Sequence, residues 1–216
     1  MHVVVMSDFD GTIVYRDTAN YVLAKFAKGG WKIYDKKFTE GEMTLEECVQ
    51  KQFSLVRAPK QLILKELENV VHFRPNFQKL AEYCAAHAVP LIIVSAGLDF
   101  VIEHFLKLEN CLRLVEICAA KTRFTANDIE LIFPKLRYKT SQNFKDDLAR
   151  YYKKHNNQVI YVGDGAGDAQ PVRIADFPFV IRDSELAKLC KKMNIRHEEI
   201  EDFQRVIETI ESIGKL

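Results

Sequence analysis

The chain alternates short apolar runs with longer stretches of helical period. Residues 2–7, HVVVMS, form a valine-rich run that predicts a buried strand. The segment VPLIIVSAG (89–97) repeats this design and ends in small polar residues and a glycine. NNQVIYVGDGAGD (156–168) does the same and ends in acids and glycines. FPFVI (177–181) is a fourth strand, and Leu114–Ala119 is a further strand candidate. Phe124 and Ile129–Phe133 are expected to pair as a short hairpin around Ala126-Asn127-Asp128.

Helical spacing fills the intervals. Over Asp17–Ala27, Ala19, Val22, Leu23 and Phe26 share one face. Thr44, with Glu47 three residues on, predicts a capped helix start whose apolar face includes Val49, Phe53 and Val56. Another helix is expected from Pro59 to about Val70, while GGWKIYDKKFTEGEMT (29–44) reads as a break. Later helices are expected from Pro75 through Cys84, over Asp99–Leu108, and from a cap at Ser141 or Asn143 through Tyr152. Pro171–Ile174, Ser184–Met193 and Glu198–Ile213 complete the set.

Strands that are apolar throughout and separated by helices predict a parallel sheet covered on both faces, a three-layer α/β core. Residues 15–72 are mainly helical and sit between two α/β-like segments. The expected division is therefore a core of 1–14 and 73–216, with a small helical cap of 15–72 inserted after the first strand.

Composition narrows the function classes. The 216 residues suit one large domain or a core with a small companion, and 48% hydrophobic residues suffice for a sizeable core. The 31 basic and 30 acidic residues nearly cancel, which argues against a general nucleic-acid or membrane surface. The first apolar run reaches an acid by residue 8, too early for a signal peptide, and no run is long enough to span a bilayer. Cys48, Cys84, Cys111, Cys118 and Cys190 are widely spaced, without a CxxC or zinc-type pattern, and read as reduced structural thiols of a cytoplasmic protein. The six histidines form no HxH or HExxH motif. Either a monomer or a homodimer is compatible with the sequence.

The candidate chemistry lies at the strand ends. Parallel sheets bind ligands beyond the carboxyl ends of their strands. Three such ends carry Asp8 and Asp10, Ser95, and Asp164 and Asp168. Carboxylates gathered this closely resist joint ionisation unless a cation or proton offsets them. Magnesium suits oxygen ligands and retained waters, and needs only two or three protein groups. Such a cation implies an anionic ligand, most simply a phosphate. Gly11 and Thr12 in the following turn, and Ser95, Ala96 and Gly97 at a helix start, supply N–H and hydroxyl donors for it. A lysine would complete the cradle. One carboxylate can attack phosphorus and another can shuttle the proton.

DFDGT, IIVSAG, a downstream lysine and GDGAGD together resemble the four motifs of the haloacid dehalogenase-like phosphatases, in the phosphoserine-phosphatase-like branch. The resemblance implies a Rossmann-like hydrolase core and roles for matching positions. Asp8 is implied as nucleophile and magnesium ligand, and Asp10 as general acid/base with its carbonyl on the metal. Thr12 is implied to orient Asp10, and Ser95 to bind phosphate. Asp164 and Asp168 are implied as magnesium ligands. Lys145, in NFKDDLARY, is favoured as the motif lysine over Lys135 and Lys139. Gly167 departs from the branch, which usually carries asparagine there.

The expected activity is magnesium-dependent hydrolysis of a small phosphorylated metabolite through an aspartyl-phosphate. Gly41, Thr44 and Glu47, RPNFQKL and the LDF after Gly97 resemble the enol-phosphate phosphatases of methionine salvage. Phosphoserine and phosphocholine- or phosphoethanolamine-type substrates are alternatives. So are phosphoryl transfer to an alcohol and non-catalytic phospho-ligand binding. Arg16, Trp31, Phe53 and Arg57 are the candidate substrate contacts in the cap.

Overall fold

The computed structural model describes residues 2–125 and 129–214. Its core is a six-stranded sheet. The strands are β1 (His2–Ser7), β2 (Leu91–Ser95), β3 (Glu116–Ala119), β6 (Asn157–Gly163), β7 (Phe177–Ile181) and β8 (Glu198–Ile200). Their order is β3-β2-β1-β6-β7-β8, and every neighbouring pair is parallel. β4 (Lys121–Phe124) and β5 (Ile129–Ile132) form a separate antiparallel hairpin. The Ala126-Asn127-Asp128 turn expected for it lies outside the described residues.

Alternating side chains of the strands supply both faces of the core. Val5, Ile93, Ile160 and Val162 face one way, against α5 (Phe77–Ala86), α6 (Asp99–Leu108) and α10 (Gln204–Ile213). Val4, Met6, Ile92, Val94 and Tyr161 face the other, against α7 (Phe144–Lys154), α8 (Ala169–Ile174) and α9 (Glu185–Lys192). Each of those helices turns its own apolar stripe inward: Leu80, Ala81 and Cys84 from α5, Leu148 and Ala149 from α7. Sheet and helices thus make the expected three layers.

The insert after β1 holds α1 (Thr18–Phe26), α2 (Lys32–Thr39), α3 (Leu45–Phe53) and α4 (Lys60–Leu67). An antiparallel bridge between Val14 and Phe73 ties its two connections together, and another between Ala27 and Val56 ties α1 to the end of α3. Thr44 and Glu47 form the capping box at the start of α3. Asn143, rather than Ser141, caps α7, reciprocated by Asp146.

Two expectations are corrected. The stretch 29–44 is not simply a break, because α2 occupies its middle. This helix buries none of its residues, so it lacks the apolar stripe that would announce it. The closing helix does not begin at Glu198. Residues Glu198–Ile200 pair with β7 as the edge strand, and α10 starts at Gln204.

Candidate active site

β1, β2 and β6 end side by side where the strand order changes direction, which leaves a crevice at their carboxyl ends. Asp8 follows β1, and its N–H donates to Val162 O at 2.9 Å, continuing the ladder. Ser95 ends β2, and Asp164 follows β6. Carboxylate oxygens of Asp8, Asp164 and Asp168 all lie within 4.8 Å of one another. Residues more than 150 apart in sequence therefore share one centre.

Lys145 projects from the first turn of α7 into this group. Its Nζ lies 2.9 Å from Asp8 Oδ2 and donates to Asp168 Oδ1 at 2.8 Å. The Tyr161 hydroxyl donates to the same Asp168 oxygen at 2.7 Å, and the N–H groups of Asp164 and Gly165 donate to Asp168 Oδ2 at 3.2 Å. Asp168 is thereby held by four donors. Burial would lower the Lys145 ammonium, but Asp168 and Asp8 outweigh it and push it above its ordinary value. Asp8 is pushed up to about 7, chiefly by burial, against the pull of Lys145. Asp164 is pushed up to about 8 by burial and then by Asp8 and Asp168. Such crowding is the condition that a divalent cation relieves.

Asp10 lies across the turn from this group. Its Oδ1 accepts the Thr18 N–H at 2.8 Å and the Thr18 hydroxyl at 2.5 Å. Burial, then Asp17, pushes its carboxyl up to about 8. Thr12, expected to orient Asp10, instead donates its hydroxyl to Asp164 Oδ1 at 2.8 Å; Thr18 at the start of α1 holds Asp10. The Ser95 hydroxyl accepts the Gly97 N–H at 3.1 Å, which closes the β2–α6 turn.

Close approach requires Gly11 and Gly97, and also Gly163, where a Cβ would sit 2.7 Å from Asp168 Cγ. Gly11 has φ +70°, and a Cβ on it would sit 2.2 Å from Asp164 Oδ2. A Cβ on Gly97 would sit 2.4 Å from Asp10 Oδ2. Both turns must be bare for the acids to converge.

A cavity of about 380 Å³ leads from Asp8, Asp10, Ser95 and Lys145 into the cap. Of the four cap residues expected to contact substrate, Phe53 lines this cavity. The Arg16 guanidinium lies 5.3 Å from the centre of the Tyr21 ring, outside the lining. Trp31 packs against the hydrophobic core from the cap and also lies outside it. Arg57 donates to the carbonyls of Ser54 and Val56 and borders a different groove of about 790 Å³, shared with Lys28, Lys60 and Phe124. That larger groove contains none of the clustered acids. Asp17, Asn20, Asp35 and Gln52 supply polar groups to the cap wall of the cavity, whose remainder is mainly apolar, with Leu23, Phe38, Leu45, Val49 and Phe53.

Sequence reasoning missed Arg74. It is buried and donates from Nε to Thr12 O at 2.8 Å, from Nη2 to Gly11 O at 3.0 Å and from Nη1 to Glu201 O at 3.0 Å. It braces the DFDGT turn from behind. Tyr161 and Thr18 were also missed. The apolar context of Tyr161 reads as core, and only the fold shows its hydroxyl on Asp168.

A parallel sheet with a helical insert after β1, and an acid–lysine centre at its carboxyl edge, is an arrangement suited to phosphoryl chemistry. The family model described as haloacid dehalogenase-like hydrolase matches residues 5–171, and the chain belongs to that family. It is 28% identical over 217 residues to the 2-hydroxy-3-keto-5-methylthiopentenyl-1-phosphate phosphatase of Brevibacillus brevis, covering 97% of this chain and 96% of the relative. It is 25% identical over 235 residues to a polyol phosphate phosphatase of Saccharomyces cerevisiae, covering 97% and 93%. Among solved structures, a phospho-aspartyl intermediate analogue of phosphoserine phosphatase superposes with TM-score 0.70 at 17% identity, covering 96% of this chain and 98% of that one. This last likeness is one of fold. Among the described residues, no helix is long and apolar enough to cross a membrane.

Proposed function

We propose that this chain is a magnesium-dependent phosphatase that hydrolyses a small phosphate monoester through an aspartyl-phosphate on Asp8. The observation that carries the reading is the convergence of Asp8, Asp164 and Asp168 with Lys145 between two of them. An all-oxygen donor set on mutually repelling carboxylates, two buried and one half-buried, suits magnesium. Asp8, Asp164 and Asp168, with the Asp10 carbonyl, are the groups assigned to hold it. When bound, magnesium supplies positive charge beside the phosphoryl oxygens.

The chain's own groups divide the remaining work. An Asp8 oxygen attacks phosphorus, and the bond from phosphorus to the ester oxygen breaks. Asp10 gives its proton to the departing oxygen, so the product leaves as an alcohol. The Asp10 carboxylate then takes a proton from water, whose oxygen attacks the phosphorus held on Asp8, and the bond from phosphorus to the Asp8 oxygen breaks. Inorganic phosphate leaves, Asp8 is again a carboxylate and Asp10 again an acid. Lys145, the Ser95 hydroxyl and the N–H groups of Gly11 and Ala96 are assigned to the phosphoryl oxygens, since the Thr12 and Gly97 N–H groups already donate to Phe9 O and Ser95 Oγ. Losing one such donor typically costs about 3–4 kcal/mol of barrier.

The cap covers the crevice and limits the size of the leaving alcohol, as lids do. Two similar phosphatases carry names of phosphate esters, a methylthiopentenyl phosphate and a polyol phosphate. A cytoplasmic setting accords with five free cysteines, four of them buried.

The test is release of phosphate from p-nitrophenyl phosphate with and without magnesium. The wild-type chain is expected to require the metal, and Asp8→Asn to form no phosphoenzyme by intact-protein mass spectrometry. Full turnover by Asp8→Asn overturns the assignment. Product analysis with an added alcohol separates hydrolysis from transfer.

A further inference from the structure

The cap side of the cavity has a charge pattern that bears on substrate choice. Lys145 is the one cation among the described lining residues, and it is already paired with Asp8 and Asp168. Asp17 and Asp35 contribute carboxylates from the cap, and Glu185 contributes a third from the core side. The cap arginines that could have met an anion, Arg16 and Arg57, both lie outside the lining.

Each cap acid is fixed in place. Asp17 caps α1, with Oδ1 accepting the Asn20 N–H at 2.7 Å and Oδ2 accepting Asn20 Nδ2 at 2.6 Å. Asp35 stands on α2, and its Oδ1 accepts Nε2 of the buried Gln52 at 2.6 Å. Gln52 comes from α3, so this bond spans two cap helices and holds the carboxylate at the cavity wall. A carboxylate or second phosphate on the leaving alcohol would face these acids without a cation to meet it. A hydroxyl or ammonium would find acceptors.

We infer that the cap selects a phosphate monoester whose alcohol carries no second anion and presents hydrogen-bond donors, neutral or cationic, to Asp35 and Asp17. This rests on the phosphatase reading above and deepens it. Asp35 is the specificity-determining residue, because it is anchored by Gln52 and lies on a helix that buries no side chain. Asp35→Asn keeps an oxygen acceptor for the buried Gln52 amide, whereas Asp35→Lys removes it.

Two substrate pairs test the inference; in each, the second ester carries a carboxylate where the first has a hydroxymethyl group or a hydrogen. Glycerol 3-phosphate is compared with 3-phosphoglycerate, and phosphoethanolamine with phosphoserine, with p-nitrophenyl phosphate as the generic ester. Wild-type kcat/KM is expected to favour the carboxylate-free member of each pair by at least about tenfold, equivalent to about 1.4 kcal/mol. The first pair reports hydroxyl recognition and the second ammonium recognition. Asp35→Asn is expected to narrow both ratios several-fold, and Asp35→Lys to narrow them further, mainly through KM for the anionic members. Equal or better turnover of the carboxylate-bearing esters, or ratios unmoved by Asp35→Lys, overturns the inference while leaving the phosphatase reading intact. No turnover of any of the five esters with magnesium overturns the phosphatase reading, and the inference with it.

Discussion

Glu46 Oε1, in the first turn of α3, accepts the backbone N–H of Phe144 at 2.8 Å, so a cap side chain binds the first residue of the helix that presents Lys145. The Phe144 N–H is one of the donors that an α-helix leaves without an internal partner, and a carboxylate is favoured at that end of the dipole. One turn along α3, Gln50 Oε1 accepts the Leu131 N–H of the hairpin at 2.7 Å. One face of α3 thus fastens the cap to two parts of the core.

Removing this fastening should affect catalysis as well as folding. Glu46→Ala is expected to raise KM several-fold and to lower stability by about 1.5–3 kcal/mol, the net worth of a hydrogen bond to a charged group. Glu46→Gln keeps an acceptor and should fall between. Steady-state kinetics beside urea unfolding checks this. A loss confined to stability, with KM unchanged, would separate Glu46 from cap placement.

Gly167 is explained by the same contact surface. A Cβ at Gly167 would approach Leu45 Cδ2 of α3 to 3.1 Å, tighter than packed side chains normally tolerate. The Gly167 carbonyl accepts Asn143 Nδ2 at 3.2 Å, so an amide from the α7 cap reaches this turn from another position. Gly167→Asn is therefore expected to push Leu45 outward and lower kcat/KM. Leu45→Ala in the same chain should restore part of the loss. Failure of that rescue would remove the steric account.

Arg74 should be among the least replaceable residues outside the acid cluster. Its three backbone acceptors lie in the DFDGT turn and beside α10, and it stacks 4.4 Å from the centre of the Tyr15 ring. Arg74→Met leaves three partly buried carbonyls without this donor, each costing about 1–3 kcal/mol where water cannot replace it. A large fall in melting temperature with loss of activity is expected. Arg74→Lys should recover little, because an ammonium cannot reproduce the planar fork. Near wild-type behaviour of Arg74→Lys would refute the bracing role.

What could be read before folding was the chemistry carried by residue type at strand ends. Asp8, Asp10, Ser95, Asp164 and Asp168 each interrupt or terminate an apolar run, and that interruption is visible in one dimension. The motif resemblance calls for a lysine, and Lys145 stands out from Lys135 and Lys139 because a helical face and then the acidic strand follow it. Thr18, Arg74 and Glu46 act on partners that tertiary structure delivers: a carboxylate eight residues back, carbonyls 62 and 63 residues back, and an N–H 98 residues on. No local pattern encodes those distances. The cap was legible as helical but not in what it presents. Of the aromatic and arginine residues expected there, only Phe53 lines the cavity; Asp17, Asp35 and Gln52 supply polar groups to its wall, and α2 has no buried stripe to announce it.

Asp147 allows a pH test away from the acid cluster. Its Oδ1 accepts the N–H groups of Arg137 and Tyr138 at 2.8 and 2.9 Å and the Ser141 hydroxyl at 2.9 Å, while Oδ2 pairs with the Arg137 guanidinium at 3.1 Å. Burial acts to raise this carboxyl, but the Tyr138, Ser141 and Arg137 donors outweigh it and hold it below its ordinary value. A carboxyl depressed in the folded state binds its proton less readily there than in the unfolded chain. Its stabilising effect is therefore fully present above the unfolded value of about 3.9 and is lost as pH falls through the lower folded value. Urea unfolding of the wild type and Asp147→Asn across pH 3–7 should show the wild type more stable at neutral pH. The gap should narrow below about pH 4 as the wild-type carboxyl takes up its proton. A gap that stays constant down to the acid limit would mean that Asp147 contributes through packing rather than charge.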